Sequence, residues 1–195
     1  MTRSAEVERI TKETNIRIAF TLDGRGTSEI FSGIPFFDHM LTLFSVHGFF
    51  DLSVHAEGDL DVDFHHTVED VGLVLGDAIN KALGERKGIR RYGHAVVPMD
   101  DALAAVTVDL SNRPFLVYNV PEPVVSAIAL NSPLVKEFFR ALVNRGGLNL
   151  HINVAYGEND HHMIESIFKA FGRSLDEASS IEGRTSAVVS SKGAL

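Results

Sequence analysis

The stretch Phe64–Val71, FHHTVEDV, places two adjacent histidines at the start of an amphipathic run, with a glutamate one helical turn further on. Asp160–Ile167, DHHMIESI, repeats the arrangement. His65 and His161 are 96 residues apart, about half of the 195-residue chain. Apolar residues after the first pair fall at Val68, Val71, Leu75, Ile79 and Ala82; adding 96 gives Ile164, Ile167, Phe171, Leu175 and Ala178. Both sets have a helical period and one buried stripe. Features upstream repeat as well. Leu52 and Leu150 precede their pairs by 13 and 11 residues, and His39 and Glu137 by 26 and 24. The same two-residue difference appears twice, so it belongs to one loop between strand and histidine pair. The chain reads as a duplicated half-domain with pseudo-twofold architecture, residues 1–93 and 94–195.

Further elements follow from local pattern. Ile16, Ile18, Phe20 and Leu22 alternate as a strand, and after the DGRG turn Ser28–Phe31 is expected to return as a hairpin. Helices are expected over Pro35–Val46, ended by Gly48, and over His66–Leu83, ended by Gly84. Leu52 and Val54 start a strand between them. The second half gives strands at His94–Pro98, Ala102–Leu110, Phe115–Asn119 and Leu148–Ala155, a loop at Pro121 and Pro123, and helices at Leu134–Val143 and His162–Ala178. The Ser- and Gly-rich tail after Gly183 is expected to be mobile unless a ligand holds it.

Composition narrows the function classes. Hydrophobic residues make up 45%, enough for a real core, yet no apolar run reaches the length of about 18 that a membrane helix requires. The polar N-terminus MTRSAEVERITKET lacks the apolar region of a secretory signal. There are no cysteines, which excludes disulfides and thiolate zinc sites and fits a reducing cytoplasm. A net charge of −8 without a basic run argues against nucleic acid as a partner.

The nine histidines carry the functional signal. On a helix, residues three and four apart share a face. Glu69 therefore faces His65 and His66, and Glu165 faces His161 and His162. Adjacent histidines diverge, so each pair splits between two ions. With His39 and Glu137 at equivalent positions, the candidate ligands are His39, His65, His66, Glu69, Glu137, His161, His162 and Glu165. Imidazole and carboxylate without sulfur suit Mn²⁺, Fe²⁺ or Zn²⁺. Eight ligands over two ions, with room for substrate, favour octahedral Mn²⁺ over tetrahedral zinc. His47 precedes the helix-ending Gly48, where it can serve as a cap, and it also lies on nearly the same helical face as His39, within reach of such a site. His55, His94 and His151 fall in strands, and most of them are expected at surface or otherwise satisfied positions. Arg90 and Arg91 in GIRRYG, Arg113 in DLSNRP, and Ser190, Ser191 and Lys192 in SSKG have the chemistry of a phosphate site. The residues alone thus indicate a two-metal site handling a small phosphorylated substrate, by hydrolysis or by a lyase step.

The segments GIPFFDHML, DFHHTVEDVGLVLGDAINKALGERKGIRRYG, PMDDAL, DLSNRP, GENDHHMIESIFKAFGRSL and SSKGAL, in this order, closely resemble the imidazoleglycerol-phosphate dehydratases of histidine biosynthesis. The resemblance covers nearly the whole chain. It implies an α/β (α+β) fold of ribosomal protein S5 domain 2-like halves, with two mainly antiparallel sheets flanking a four-helix layer. It implies a cytoplasmic hydro-lyase that removes water from imidazole glycerol phosphate to give imidazole acetol phosphate. It further implies two Mn²⁺ per active site, and a homo-oligomer of 24 subunits with active sites at subunit interfaces. His39, His65, His66, Glu69, His161, His162 and Glu165 match the family's ligand and catalytic positions, Glu165 as ligand or base. Glu13 in TKETN matches a glutamate of substrate contact and acid–base work. Arg91, Arg113, Ser190, Ser191 and Lys192 match its phosphate contacts, and His47 is placed on the substrate side. Glu137 stands where many relatives carry histidine.

Overall fold

Alternating apolar and polar residues build two four-stranded sheets in this computed structural model, which describes residues 2–122 and 130–193. The first sheet holds β1 (Ser4–Ile10), β2 (Thr14–Thr21), β3 (Ser28–Phe31) and β4 (Asp51–Gly58), in the order β1-β2-β4-β3. The second holds β5 (Tyr92–Met99), β6 (Ala102–Asp109), β7 (Phe115–Asn119) and β8 (Asn149–Tyr156), in the matching order β5-β6-β8-β7. In both, the first three strands of the spatial order are antiparallel and the last pair is parallel. Ile16, Ile18, Phe20, Leu52 and Val54 point inward from one sheet, and Ala104, Val106, Val108, Leu150 and Ile152 from the other; all are buried. The outer faces mix polar residues such as Arg17, His55, His151 and Asn153 with exposed apolar ones such as Phe31, Val96 and Phe115, and on β6 Leu103 and Ala105 are half-buried.

The helices are α1 (Pro35–Gly48), α2 (His65–Leu83), α3 (Ser132–Gly146) and α4 (Asp160–Ser179). They form the layer that the two sheets flank. Helix α2 lies on β1 and β2, and α4 on β5 and β6, whereas α1 packs on α4 and α3 on α2. Each helix pair therefore joins the two halves. Glycines allow the close approach: a Cβ on Gly172 would sit 2.6 Å from the Phe44 carbonyl oxygen of α1, and one on Gly76 would sit 2.5 Å from that of Leu142 on α3. Gly76 and Gly172 are again 96 residues apart.

Several expectations are corrected. Ser28–Phe31 forms no hairpin with β2. It pairs in parallel with β4, and α1 supplies the crossover that parallel pairing demands. β1 lies in a segment whose mixed charges hide its alternation. It is an edge strand, and only Ala5 and Val7 pack against the core. The left-handed residue closing α1 is Phe49, at φ 56°, and not Gly48. Helices α3 and α4 begin earlier than the apolar pattern indicates, because the side chains of Asn131 and Asn159 cap them. The boundary expected between residues 93 and 94 falls inside β5. Pro123 lies outside the described residues. The tail is laid along the loop before β5: Gly88 donates to the Ala187 carbonyl (3.0 Å), and Glu182 to that of Gly88 (2.8 Å). No described helix is long and apolar enough to cross a membrane.

Candidate metal centre and its surroundings

The contact of α1 with α4 brings His39, His161 and Glu165 together. One ligating atom from each lies within 4.8 Å of the others, the only such trio of histidine or acidic side chains among the described residues. Glu165 Oε2 is 3.4 Å from His39 Nε2 and 3.1 Å from His161 Nε2. The other oxygen, Oε1, accepts from Lys169 Nζ at 2.6 Å. Glu165 and Lys169 expose only 8% and 16% of their side chains, and Phe36 packs edge-on against the His161 ring. Burial pushes the Glu165 carboxyl up, but hydrogen bonds from Lys169, then His161 and His39, outweigh it and hold the group below its ordinary value. A buried carboxylate beside two imidazoles is a donor set that fits a divalent cation.

The adjacent histidines diverge as the sequence indicates. The His65 and His66 rings are perpendicular, and those of His161 and His162 lie at 72°. His65 Nε2 is 3.7 Å from Glu69 Oε2, one turn along α2. His66 Nδ1 lies 2.9 Å from Asp59 Oδ2 and 3.8 Å from Glu13 Oε2. Asp59 raises the His66 pKa, and Glu13 adds to the effect. In the other half His162 Nδ1 is hydrogen-bonded to Asp101 Oδ1. Asp101 Oδ2 accepts from the backbone of Glu158 (2.6 Å) and Asn159 (3.1 Å). His162, followed by these two amides, holds the Asp101 carboxyl far below its ordinary value. A carboxylate on Nδ1 fixes the ring and leaves Nε2 to face a metal ion. Asp59 and Asp101 thus orient His66 and His162, a role local pattern did not reveal. For Asp101 the available signal was the acidic pair in PMDDAL, in the turn matching the one that carries Glu13.

Glu13 is exposed in the β1–β2 turn. Its place is set by a buried anchor: Asp70 on α2 accepts from Thr14 Oγ1 (2.5 Å) and from Arg9 Nε (3.0 Å). Thr11 Oγ1 then accepts from the amides of Glu13 and Thr14. The result is a carboxylate beside His66.

Other candidates stand apart from the trio. Glu137 on α3 accepts from Arg140 Nη1 at 2.9 Å. Arg91 grips Asp109 through two hydrogen bonds, 2.7 and 3.1 Å, and donates to the Val189 carbonyl at 2.6 Å, next to Ser190. The Asp109 hydrogen bonds raise its pKa further. Arg113, Ser191 and Lys192 are exposed. Among the described residues Arg113 makes no hydrogen bond with the tail. His47 lies in a polar depression with Arg90, His94 and Arg173, where burial, then Lys169 and Arg173, depress its pKa. Of the eight candidate ligands, one chain gathers three.

Comparison with known proteins covers the full length. The family profile described as imidazoleglycerol-phosphate dehydratase matches residues 32–175. Proteins of that name from Desulfosudis oleivorans and Syntrophobacter fumaroxidans are each 60% identical, over 195 and 193 residues, covering 100% and 99% of this chain and 100% and 98% of theirs. The crystal structure of the enzyme from Staphylococcus aureus N315 superposes with a TM-score of 0.82 at 38% identity, covering 91% of this chain and 99% of the other. That from Pyrococcus furiosus, in complex with (S)-C348, gives 0.86 at 36% identity, covering 97% and 100%.

Proposed function

The chain belongs to the imidazoleglycerol-phosphate dehydratase family of hydro-lyases in histidine biosynthesis, and from that premise we propose that it converts D-erythro-imidazole glycerol phosphate to imidazole acetol phosphate with two Mn²⁺ per active site. The gathered trio His39, His161 and Glu165 is the observation that carries the metal-dependent reading. When bound, the ions would supply Lewis-acid stabilisation of the substrate imidazole in its electron-rich form.

The chain's own residues supply the rest. His39, His65, His66, Glu69, Glu137, His161, His162 and Glu165 would hold the ions, with Asp59 and Asp101 keeping Nε2 of His66 and His162 available. Glu13, exposed and beside His66, would take the carbon-bound proton. The carbon–oxygen bond on the neighbouring carbon breaks, the hydroxide and the proton taken from carbon leave together as water, and the resulting enol tautomerises to the ketone. Arg91, Arg113, Ser190, Ser191 and Lys192 would hold the phosphate, which stays attached, and His47 would border the substrate. Because one chain gathers only part of the ligand set, the reading places complete sites between subunits of a cytoplasmic homo-oligomer, with 24 subunits expected.

The test is direct. Purified protein with Mn²⁺ should convert the substrate to a ketone-bearing product that keeps its phosphate, read by phosphorus and proton NMR. Release of free phosphate, or no ketone with the metal fully loaded, would overturn the assignment.

A further inference from the structure

The two halves carry equivalent ligand sets, but only one is assembled. The pseudo-twofold that carries α1 and α4 onto α3 and α2 carries His39 onto Glu137, His161 onto His65, and Glu165 onto Glu69. In the first set the three ligating atoms converge, and the carboxylate is buried and held by Lys169. In the second set Glu69 exposes 44% of its side chain, and His65 stands 3.7 Å away. Glu137 does not join them within the 4.8 Å that gathers the first set. It faces Arg140, one turn along its own helix.

The contrast traces to three positions. Where the first half has His39, the second has Glu137; where the first has Thr42, the second has Arg140; and where Lys169 follows Glu165 by one turn, Leu73 follows Glu69. Thr42 spends its hydroxyl on the Asp38 carbonyl at 2.8 Å and offers no charge. Arg140 presents a guanidinium three residues from Glu137, where a helix brings side chains together. The second set thus has an extra carboxylate and a cation that occupies it.

We propose that the two ligand sets load unequally, the His39–His161–Glu165 set first, and that Arg140 is the positioning residue that holds the second set open by drawing Glu137 aside. The proposal rests on the two-metal reading above. The first set binds an ion without rearrangement, whereas the second must first break the Glu137–Arg140 pair. That pair is partly exposed, so its opposition is modest, about fivefold in affinity. Once released, Glu137 gives the second set two carboxylates and one imidazole, a donor set suited to a hard cation.

The test is a titration of the metal-free full-length oligomer with Mn²⁺, followed by calorimetry and by the electron paramagnetic resonance of free Mn²⁺. Wild type should bind two ions per chain in two resolved steps of equal stoichiometry. Arg140→Ala should tighten the weaker step about fivefold and leave the tighter one in place, and Arg140→Lys should restore much of the gap. His39→Ala should abolish the tighter step. Two ions bound with a single affinity would overturn this proposal alone, as would an Arg140→Ala variant whose weaker step stays fixed or loosens. Fewer than two ions per chain at saturation would overturn the two-metal reading and the proposal with it. Circular dichroism of each variant separates loss of a step from loss of fold.

Discussion

Replacing Lys169 with methionine should destabilise the metal-free protein far more than the metal-loaded one. Methionine keeps most of the length and the apolar stem but removes the ammonium that donates to Glu165 Oε1 at 2.6 Å. Breaking a buried ion pair by deleting one partner costs about 3–5 kcal/mol, because the remaining charge is left uncompensated. Here two imidazoles still face Oε2, and Lys169 is not wholly buried. The expected loss is therefore smaller, about 2–3 kcal/mol by the same reasoning. At about 2–4 °C per kcal/mol for a domain of this size, the midpoint should fall by about 4–12 °C. The acid branch should move as well. The Glu165 pKa is below its ordinary value, so the group stabilises the fold above its unfolded pKa, and that contribution is lost as pH falls through the lower folded value. Without Lys169, burial dominates and the folded pKa rises, so the loss starts at higher pH. Thermal unfolding by circular dichroism, with chelator and with saturating Mn²⁺, measures both effects. A bound cation takes over the compensation, so the difference between variant and wild type should shrink when metal is present. The double variant Lys169→Met/Glu165→Gln should recover much of the metal-free loss. A metal-free loss below about 1 kcal/mol, or an equal loss in the double variant, would refute the view that Lys169 neutralises this buried carboxylate.

Other outcomes follow from the same structure. Gly76→Ala and Gly172→Ala should each cost about 1–3 kcal/mol in denaturant unfolding, because each added Cβ meets a backbone carbonyl of the facing helix; two neutral results would mean that the helix pairs are not closely packed. Tyr118, hydrogen-bonded to Ser132, is pushed up by burial to about 12. A raised folded pKa supports the fold below the unfolded value near 10 and loses that support as pH climbs towards 12, so Tyr118→Phe should flatten the alkaline loss of stability. Glu69→Gln should lower metal content by about 10-fold or more at limiting Mn²⁺, read by elemental analysis of the dialysed protein; undiminished content would remove Glu69 from the site.

Much of this was legible because duplication turns a weak signal into a strong one. A single HH-x-x-E is an ordinary helix start; two at one offset fix the long helices, their buried stripes and their carboxylate partners. The divergence of adjacent histidines also follows from helix geometry alone. What stayed hidden depends on contacts distant in sequence. β3 and β7 show the alternation of any strand, and nothing local states that their partners are β4 and β8, reached through a helix and in parallel. Asp59 and Asp101 lie in acidic surroundings where no residue stands out until the fold brings one to a histidine. Lys169 was within reach, since it is four residues beyond Glu165, but the spacing alone does not distinguish a buried ion pair from a solvated one.

The crossed helix packing explains why the duplication has functional force. The candidate trio, with His39 from the first half and His161 and Glu165 from the second, cannot form within either half alone. The contact that unites them is a close one: Gly48 of α1 approaches Gly172 of α4, and a Cβ on Gly48 would lie 2.9 Å from the Gly172 carbonyl oxygen. Gly146 and Gly76 meet at the equivalent place between α3 and α2. The same small residues that let the helices approach therefore fix the spacing of the side chains a few turns away. Sequence differences between the halves then act on a common frame. Because the frame is shared, exchanging His39 for Glu137 and Thr42 for Arg140 changes charge and readiness at the second set without altering the backbone that presents it.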